Sequence, residues 1–317
     1  MSATQRDWIA RYGTAFAALC VFAAFAAFAP NFLAWHNMMG IAKQVSYIAI
    51  LGVGFALALT AAELDLSFAN VASLAAVCTG LLVHRGFDPA IAVAAGLAVG
   101  TGFGLFNGLA VTRLKIPSLI ATLATAAIAN GFAFMATDGV SIVGRWPRAF
   151  TDLGRGSLLG LPALAWWMLS VCAAALFFLK QTRIGFRLTC TGEAEEAAAR
   201  AGIATRRMKL LGLTLSGAAA GLAAVLLTAS LSSATANMAA DFLLTAIASV
   251  MLGMTMFEPG RPNIPGTLVG ALTIGMLSNG LVLLGAPYYV QDICLGLIIL
   301  GSVAVSASVL TRAAFSV

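Results

Sequence analysis

Long stretches of this chain contain no charged residue at all, and that constrains its fold more than any other feature. No Asp, Glu, Lys or Arg occurs in residues 66–84, 89–112, 116–137, 210–240 or 262–291. Each stretch approaches or exceeds the roughly 20 apolar residues that carry a helix across a bilayer. A soluble surface needs about 25% charged residues, whereas this chain has 9% and a mean hydropathy of +0.96. Most of its outer surface must therefore face lipid. Inside lipid the backbone has to satisfy its own hydrogen bonds, and helices do so within one segment. The fold expected is all-α, a polytopic transmembrane helical bundle.

The charge-free runs and their polar breaks place about ten spans, near residues 13–30, 42–62, 66–83, 90–111, 118–137, 162–179, 210–230, 242–257, 265–285 and 288–310. The first is expected to be a retained span rather than a cleaved signal, because Phe and Ala continue through it. The second, third and eighth are interrupted by acids or are short, which points to broken helices. Helical backbone can be lost at membrane depth only where it faces protein or a water-filled cavity.

Basic residues give the orientation. With the N-terminus inside, thirteen Lys and Arg fall on the inner side, among them Arg6, Arg11, Lys180, Arg200, Lys209, Arg261 and Arg312. Five fall outside: Lys43, Arg85, Arg145, Arg148 and Arg155. The positive-inside rule then puts both termini in the cytoplasm. The same loops account for the net charge of +6 without a nucleic-acid partner. Five cysteines show no metal-ligand spacing and read as small buried hydrophobes, and two histidines are too few for most His-based metal sites. No metal or cofactor is expected.

An internal repeat is visible. Gly104-Leu105-Phe106-Asn107-Gly108-Leu109 echoes Gly275-Met276-Leu277-Ser278-Asn279-Gly280-Leu281. Upstream, Ala61-Ala62-Glu63-Leu64-Asp65-Leu66 resembles Ala239-Ala240-Asp241-Phe242-Leu243-Leu244. The matched spans lie five apart, an odd offset that gives the two copies opposite topology. Inverted repeats are a transporter design with the route at their interface. Asp65, Ser67, Asn70, Asn107 and Asn279 are the candidate pathway residues. Asp65 equally suits the start of the next helix as a cap, and a lone Asn can simply bond a neighbouring helix.

One extramembrane segment carries a short helix, Gly192 to Ile203. Glu193, Glu195 and Glu196 fill its first turn, Arg200 its last, and Gly202 is placed to end it. So short a helix needs external support. The chain lacks a glycine-lysine phosphate loop and the common hydrolase and metal motifs. No catalytic residue is assigned, and no ladder of buried acids and histidines suggests a proton-driven pump.

Together these segments resemble the permease subunits of bacterial ABC importers for ribose and other monosaccharides. Glu63-Leu64-Asp65-Leu66-Ser67 resembles that family's Gly-Gly-Ile-Asp-Leu-Ser stretch. Lys115-Ile116-Pro117-Ser118-Leu119 is similar to its segment after the fourth span. Gly192 to Ile203 is similar to its cytoplasmic Gly-x-x-Glu-x-Ala-Ala-x-x-x-Gly-Ile element, and Asn279-Gly280-Leu281 with Tyr288-Tyr289-Val290-Gln291 also match.

The resemblance implies one transmembrane permease domain over residues 1–317, with 180–209 a cytoplasmic coupling loop. It implies cytoplasmic ABC ATPase subunits that hydrolyse ATP and dock on Glu193–Ala201. It also implies a periplasmic substrate-binding protein, a second permease copy or related chain, and a place in the bacterial inner membrane. The chain departs from the family at Ala62-Glu63, where paired glycines are usual. It departs again at Phe257-Glu258-Pro259-Gly260-Arg261-Pro262, where Phe-Gly-Gly-Arg-Gly is usual. A branched-chain amino-acid permease of the same layout and a secondary transporter are the alternative readings. A purely structural membrane protein is less consistent with the intramembrane Asn107, Asn130 and Asn279.

Overall fold

A computed structural model describes the backbone of residues 3–314 and the side chains of residues 14–304. Arg6, Arg11 and Arg312, part of the inner basic set, lie outside the described side chains. The chain runs α1 (Ala3–Phe28), α2 (Trp35–Thr60), α3 (Phe68–His84), α4 (Pro89–Thr112) and α5 (Ser118–Thr137). After β1 (Ile142–Val143), α6 (Arg148–Arg155), β2 (Ser157–Leu158) and β3 (Leu161–Pro162) come α7 (Ala163–Gln181), α8 (Arg183–Glu193) and α9 (Glu195–Arg200). Then follow α10 (Thr205–Leu231), β4 (Ser233–Ala234), α11 (Phe242–Gly253), α12 (Ile264–Leu283) and α13 (Tyr288–Ala314).

Every apolar run forms a helix. Six of these, α2, α4, α5, α7, α10 and α12, are long and apolar enough to cross a membrane. Four more apolar helical stretches are shorter within the described residues: Thr14–Phe28, α3, α11 and Tyr288–Ala304. At 1.5 Å per residue, the 12 residues of α11 reach about 18 Å, short of a 30 Å hydrocarbon core. The expected eighth span, 242–257, therefore stops early, at Gly253. Non-helical chain precedes it. Ala236 and Ala239 are buried, and the Ala239 N–H donates to Ser73 Oγ at 3.0 Å. The irregular segment thus sits inside protein, where its polar backbone can be satisfied.

α2 is the central helix. Val45 to Ala58 are buried almost without interruption, so it is apolar on every side. It packs on α7, α10, α11 and α12. α4 and α10 meet most closely, because glycine lets their backbones touch. A Cβ on Gly100 would stand 2.4 Å from the Gly217 carbonyl, and one on Gly104 would stand 2.5 Å from the Leu213 carbonyl. Large apolar side chains such as Phe106, Ile120, Phe132 and Phe177 point outward. Of the cysteines, only Cys172 is fully buried; Cys78, Cys190 and Cys294 are half-buried, and Cys20 on α1 is exposed.

The packing repeats. α3 contacts α4, α5 and α10, and α11 contacts α12, α13 and α2. Substituting each helix of the first set by the helix eight labels on, with α2 and α10 exchanging places, generates the second. The connections also segregate. At one end of the bundle, 61–67, 113–118, 180–209 and 254–263 touch through side-chain and backbone contacts. At the other, β1 pairs antiparallel with β4 (Ile142 with Ala234), β2 pairs with β3, and Arg155 Nε donates to the Ser230 carbonyl at 2.7 Å.

Candidate functional site

The break between α2 and α3 is built by a helix stop and an aspartate. The Glu63 N–H donates to the Ala58 carbonyl and the Ala62 N–H to that of Leu59, at 3.1 and 2.9 Å. This double bond pattern closes a helix around a left-handed residue. Ala62 holds that position, with φ of +59°. The family resemblance puts glycine there, which adopts the conformation without steric cost.

Beyond the stop, residues 63–67 leave helical structure and are pinned by hydrogen bonds to α5 and α4. The Leu64 N–H donates to Ser118 Oγ, and the Leu64 carbonyl accepts from Thr122 Oγ1, each at 3.2 Å. Asp65 Oδ1 accepts from the Ser67 N–H at 2.9 Å and from Ser67 Oγ at 2.6 Å. Ser67 Oγ accepts in turn from Asn107 Nδ2 of α4 at 2.8 Å. Asp65 and Ser67 are each 1% exposed and Asn107 is fully buried. Ser216 of α10 faces the same carboxylate. Among the described residues, Asp65 Oδ2, Asn107 Oδ1 and Ser216 Oγ are buried without a partner in hydrogen-bond geometry.

Three of the five candidate pathway residues, Asp65, Ser67 and Asn107, are thus one cluster. Asn70 is half-buried in the first turn of α3. Asn279 stands apart, at the other end of the bundle, where it exchanges hydrogen bonds with Asn37 of α2. Asp65 is not itself the cap of α3: Ser67 occupies that position, and Asp65 bonds the Ser67 N–H and hydroxyl.

The short charged helix is shorter than expected. Residues 183–193 form α8, with Glu193 as its last residue, and the chain leaves helical conformation at Ala194 (φ −155°, ψ 80°). α9 begins at Glu195 and carries Glu196 and Arg200 on its exposed side, paired at 3.5 Å with side chains 90% and 84% exposed. Its end matches the expectation. Gly202 has φ of +83°, and the Ile203 N–H reaches back to the Ala198 carbonyl at 3.0 Å.

What supports α9 was not apparent from local spacing. Lys209 Nζ of α10 lies 2.9 Å from Glu63 Oε1 and 2.8 Å from Glu195 Oε2. The Glu63 side chain is 6% exposed and that of Lys209 is 18% exposed. Glu193 pairs with Arg261 at 3.1 Å, and Lys180 pairs with Glu258. Each departing motif thus carries an acid where glycine is usual, Glu63 in one and Glu258 in the other, and each acid is used in an ion pair at this end. A cleft of about 240 Å³ opens beside the second pair, lined by Thr60, Lys180, Phe186, Glu258 and Pro262 among others. At the opposite end a hollow of about 660 Å³ is lined by Arg145, Trp146, Arg148, Asp152 and Arg155.

Residues 37–303 match the family model described as branched-chain amino acid transport system / permease component. The ribose import permease protein RbsC of Escherichia coli K12 is 34% identical over 303 residues, covering 95% of this chain and 94% of that protein. The RbsC of Bacillus subtilis 168 is 34% identical over 86% of this chain and 84% of its own. The L-arabinose transport system permease protein AraH of Escherichia coli K12 is 33% identical over 92% and 89%. A solved inward-facing metal-chelate type ABC transporter aligns over 87% of each chain at 14% identity, with a TM-score of 0.43.

Proposed function

The chain belongs to the branched-chain amino acid transport system / permease component family, and from that premise we propose that it is the membrane permease of a monosaccharide importer. It is a multi-pass membrane protein and the permease subunit of an ABC importer, and a separate ATPase hydrolyses the ATP. The observation that carries the sugar reading is 34% identity with a ribose permease across 95% of the chain. Relatives named for ribose and arabinose at this level favour a pentose or similar sugar over a branched-chain amino acid.

The architecture proposed is one domain over residues 1–317, of ten membrane crossings in two inverted halves. The recurring helix pairings and the segregation of alternate connections to opposite ends support it. The end that carries 180–209 is the cytoplasmic one, since that loop holds Arg183, Arg187, Arg206, Arg207 and Lys209 and the neighbouring connections add Arg113, Lys115 and Arg261. Both termini then lie in the cytoplasm, in a bacterial inner membrane.

Cytoplasmic ATPase subunits contact the exposed side of α9 and its flanks, with Glu193, Glu195, Glu196, Arg200 and Gly202 shaping the surface. A second permease, identical or related, completes the transmembrane unit. A periplasmic binding protein delivers cargo at the end that holds the arginine-lined hollow. Asp65, Ser67, Asn70, Asn107 and Asn279 serve the route. The buried Asn107 Oδ1, without a hydrogen-bond partner among the described residues, supports this for the inner cluster. It is an acceptor, and the hydroxyl of a sugar is a donor that would satisfy it once the route opens.

Deleting the gene should abolish high-affinity uptake of labelled ribose or arabinose by cells, and a plasmid copy should restore it. Uptake of both sugars at the parental rate after deletion would reject a pentose cargo.

A further inference from the structure

We propose that Glu63 and Lys209 are positioning residues that pass movement of α9 to the buried Asp65–Ser67–Asn107 cluster. The proposal rests on α9 being the ATPase-contacting helix.

The contacts form an unbroken series. Glu195 of α9 holds Lys209, and Lys209 holds Glu63, at 2.8 and 2.9 Å. Only Leu64 separates Glu63 from Asp65. Asp65 Oδ1 holds Ser67, whose hydroxyl holds Asn107 of α4. The six residues of α9 cannot stay helical unaided, so what they pack against sets their position. Ala198 is buried and Glu195 is clipped, while Glu196 and Arg200 face solvent.

The ion pairs at this end differ in kind. Lys180–Glu258 and Arg261–Glu193 are each 40% or more exposed on both partners, where solvent weakens them. The Glu63–Lys209 pair is nearly dry, so separating it would strand a buried carboxylate. Its members therefore move together. Lys209 also lies in the second turn of α10, a helix locked to α4 through glycine contacts. The non-helical 63–67 segment is the part that can shift between α9 on one side and α4 and α5 on the other.

The test uses the permease co-purified with its ATPase in nanodiscs. Leu64, 36% exposed, is replaced by Cys, and maleimide labelling is timed with and without ATP. The chain with native Leu64 supplies the background from its own cysteines. In Leu64→Cys, ATP should change the labelling rate by roughly fivefold, the lower end of ordinary coupling. Adding Glu63→Gln with Lys209→Gln removes both charges together and leaves no buried carboxylate unpaired, since Glu195, which also loses Lys209, is half exposed. This variant should keep the ATPase bound and hydrolysing while losing the ATP response, and Lys209→Arg should retain it. An ATP response that survives the double change, or none in Leu64→Cys itself, overturns the proposal. Docking is read separately, since Glu196→Lys with Arg200→Glu should release the ATPase. Full retention would reject α9 as the contact.

Discussion

Asn37 and Asn279 exchange two hydrogen bonds, each 2.9 Å long, across 242 residues of chain. Asn37 Nδ2 also donates to the Phe32 carbonyl at 2.8 Å, which ties the start of α2 to the turn before it. The pair staples α2 to α12 near one end of the bundle. At the other end Asn107 of α4 bonds Ser67 at the start of α3. Equivalent asparagines in the two repeats thus both hold a helix partner, one through an amide and one through a hydroxyl.

A reciprocal pair should fail as a unit. Asn37→Ala and Asn279→Ala should each lower stability by about 1 kcal/mol, the usual scale of interhelical hydrogen bonds in membranes. The double variant should cost little more than either single one. Thermal unfolding in detergent checks this. Uptake distinguishes staple from route, because a residue lining the route loses transport beyond what its Asn37→Ala partner loses. Additive stability losses would contradict the pair as a unit.

Ala62→Gly should stabilise the protein. A non-glycine residue in left-handed conformation costs about 1–2 kcal/mol, and Ala62 has φ of +59°. Greater freedom of glycine in the unfolded chain returns part of that. A net gain of about 0.5–1 kcal/mol, read as a higher unfolding midpoint, is expected. A lower midpoint would mean that the Ala62 methyl makes contacts worth more than the strain.

The two roles open to Asp65 separate by substitution. In Asp65→Asn an amide oxygen can still accept from the Ser67 N–H and hydroxyl, but the charge is gone. In Asp65→Ala both bonds are lost, at about 0.5–2 kcal/mol for a cap. A capping role predicts near-normal amounts and uptake for Asp65→Asn and reduced amounts for Asp65→Ala. A pathway role predicts normal amounts but uptake at least tenfold lower for Asp65→Asn. Equal loss of amount in both variants would contradict the pathway role.

Much of the bundle was legible because charge is so costly in lipid. Each long run free of Asp, Glu, Lys and Arg contains a helix, and the acids at 63 and 65 mark a real break. Gly202 ended α9 for the reason its position suggests. The split at Ala194 was not legible, since neither glycine nor proline marks it. Lys209 was read only as one of a basic group. Its carboxylate partners are 146 and 14 residues away, at distances that no local spacing encodes. One signal was present and unused. Gly96, Gly100, Gly104 and Gly108 recur every four residues on α4, the stripe that admits α10. At the departures from the family motifs, Glu63 and Glu258 stand where glycine is usual, and each is an ion-pair partner of a residue distant in sequence.

The most direct measurement is the energy dependence of transport. Inverted or right-side-out vesicles cannot supply all the components, so the permease, its ATPase and its binding protein are reconstituted in proteoliposomes with labelled ribose and arabinose. The account predicts that sugar accumulates only with ATP on the ATPase side, and that dissipating ion gradients with a protonophore leaves the rate unchanged. Accumulation that persists without ATP and collapses with the protonophore would contradict it, making the chain a secondary transporter.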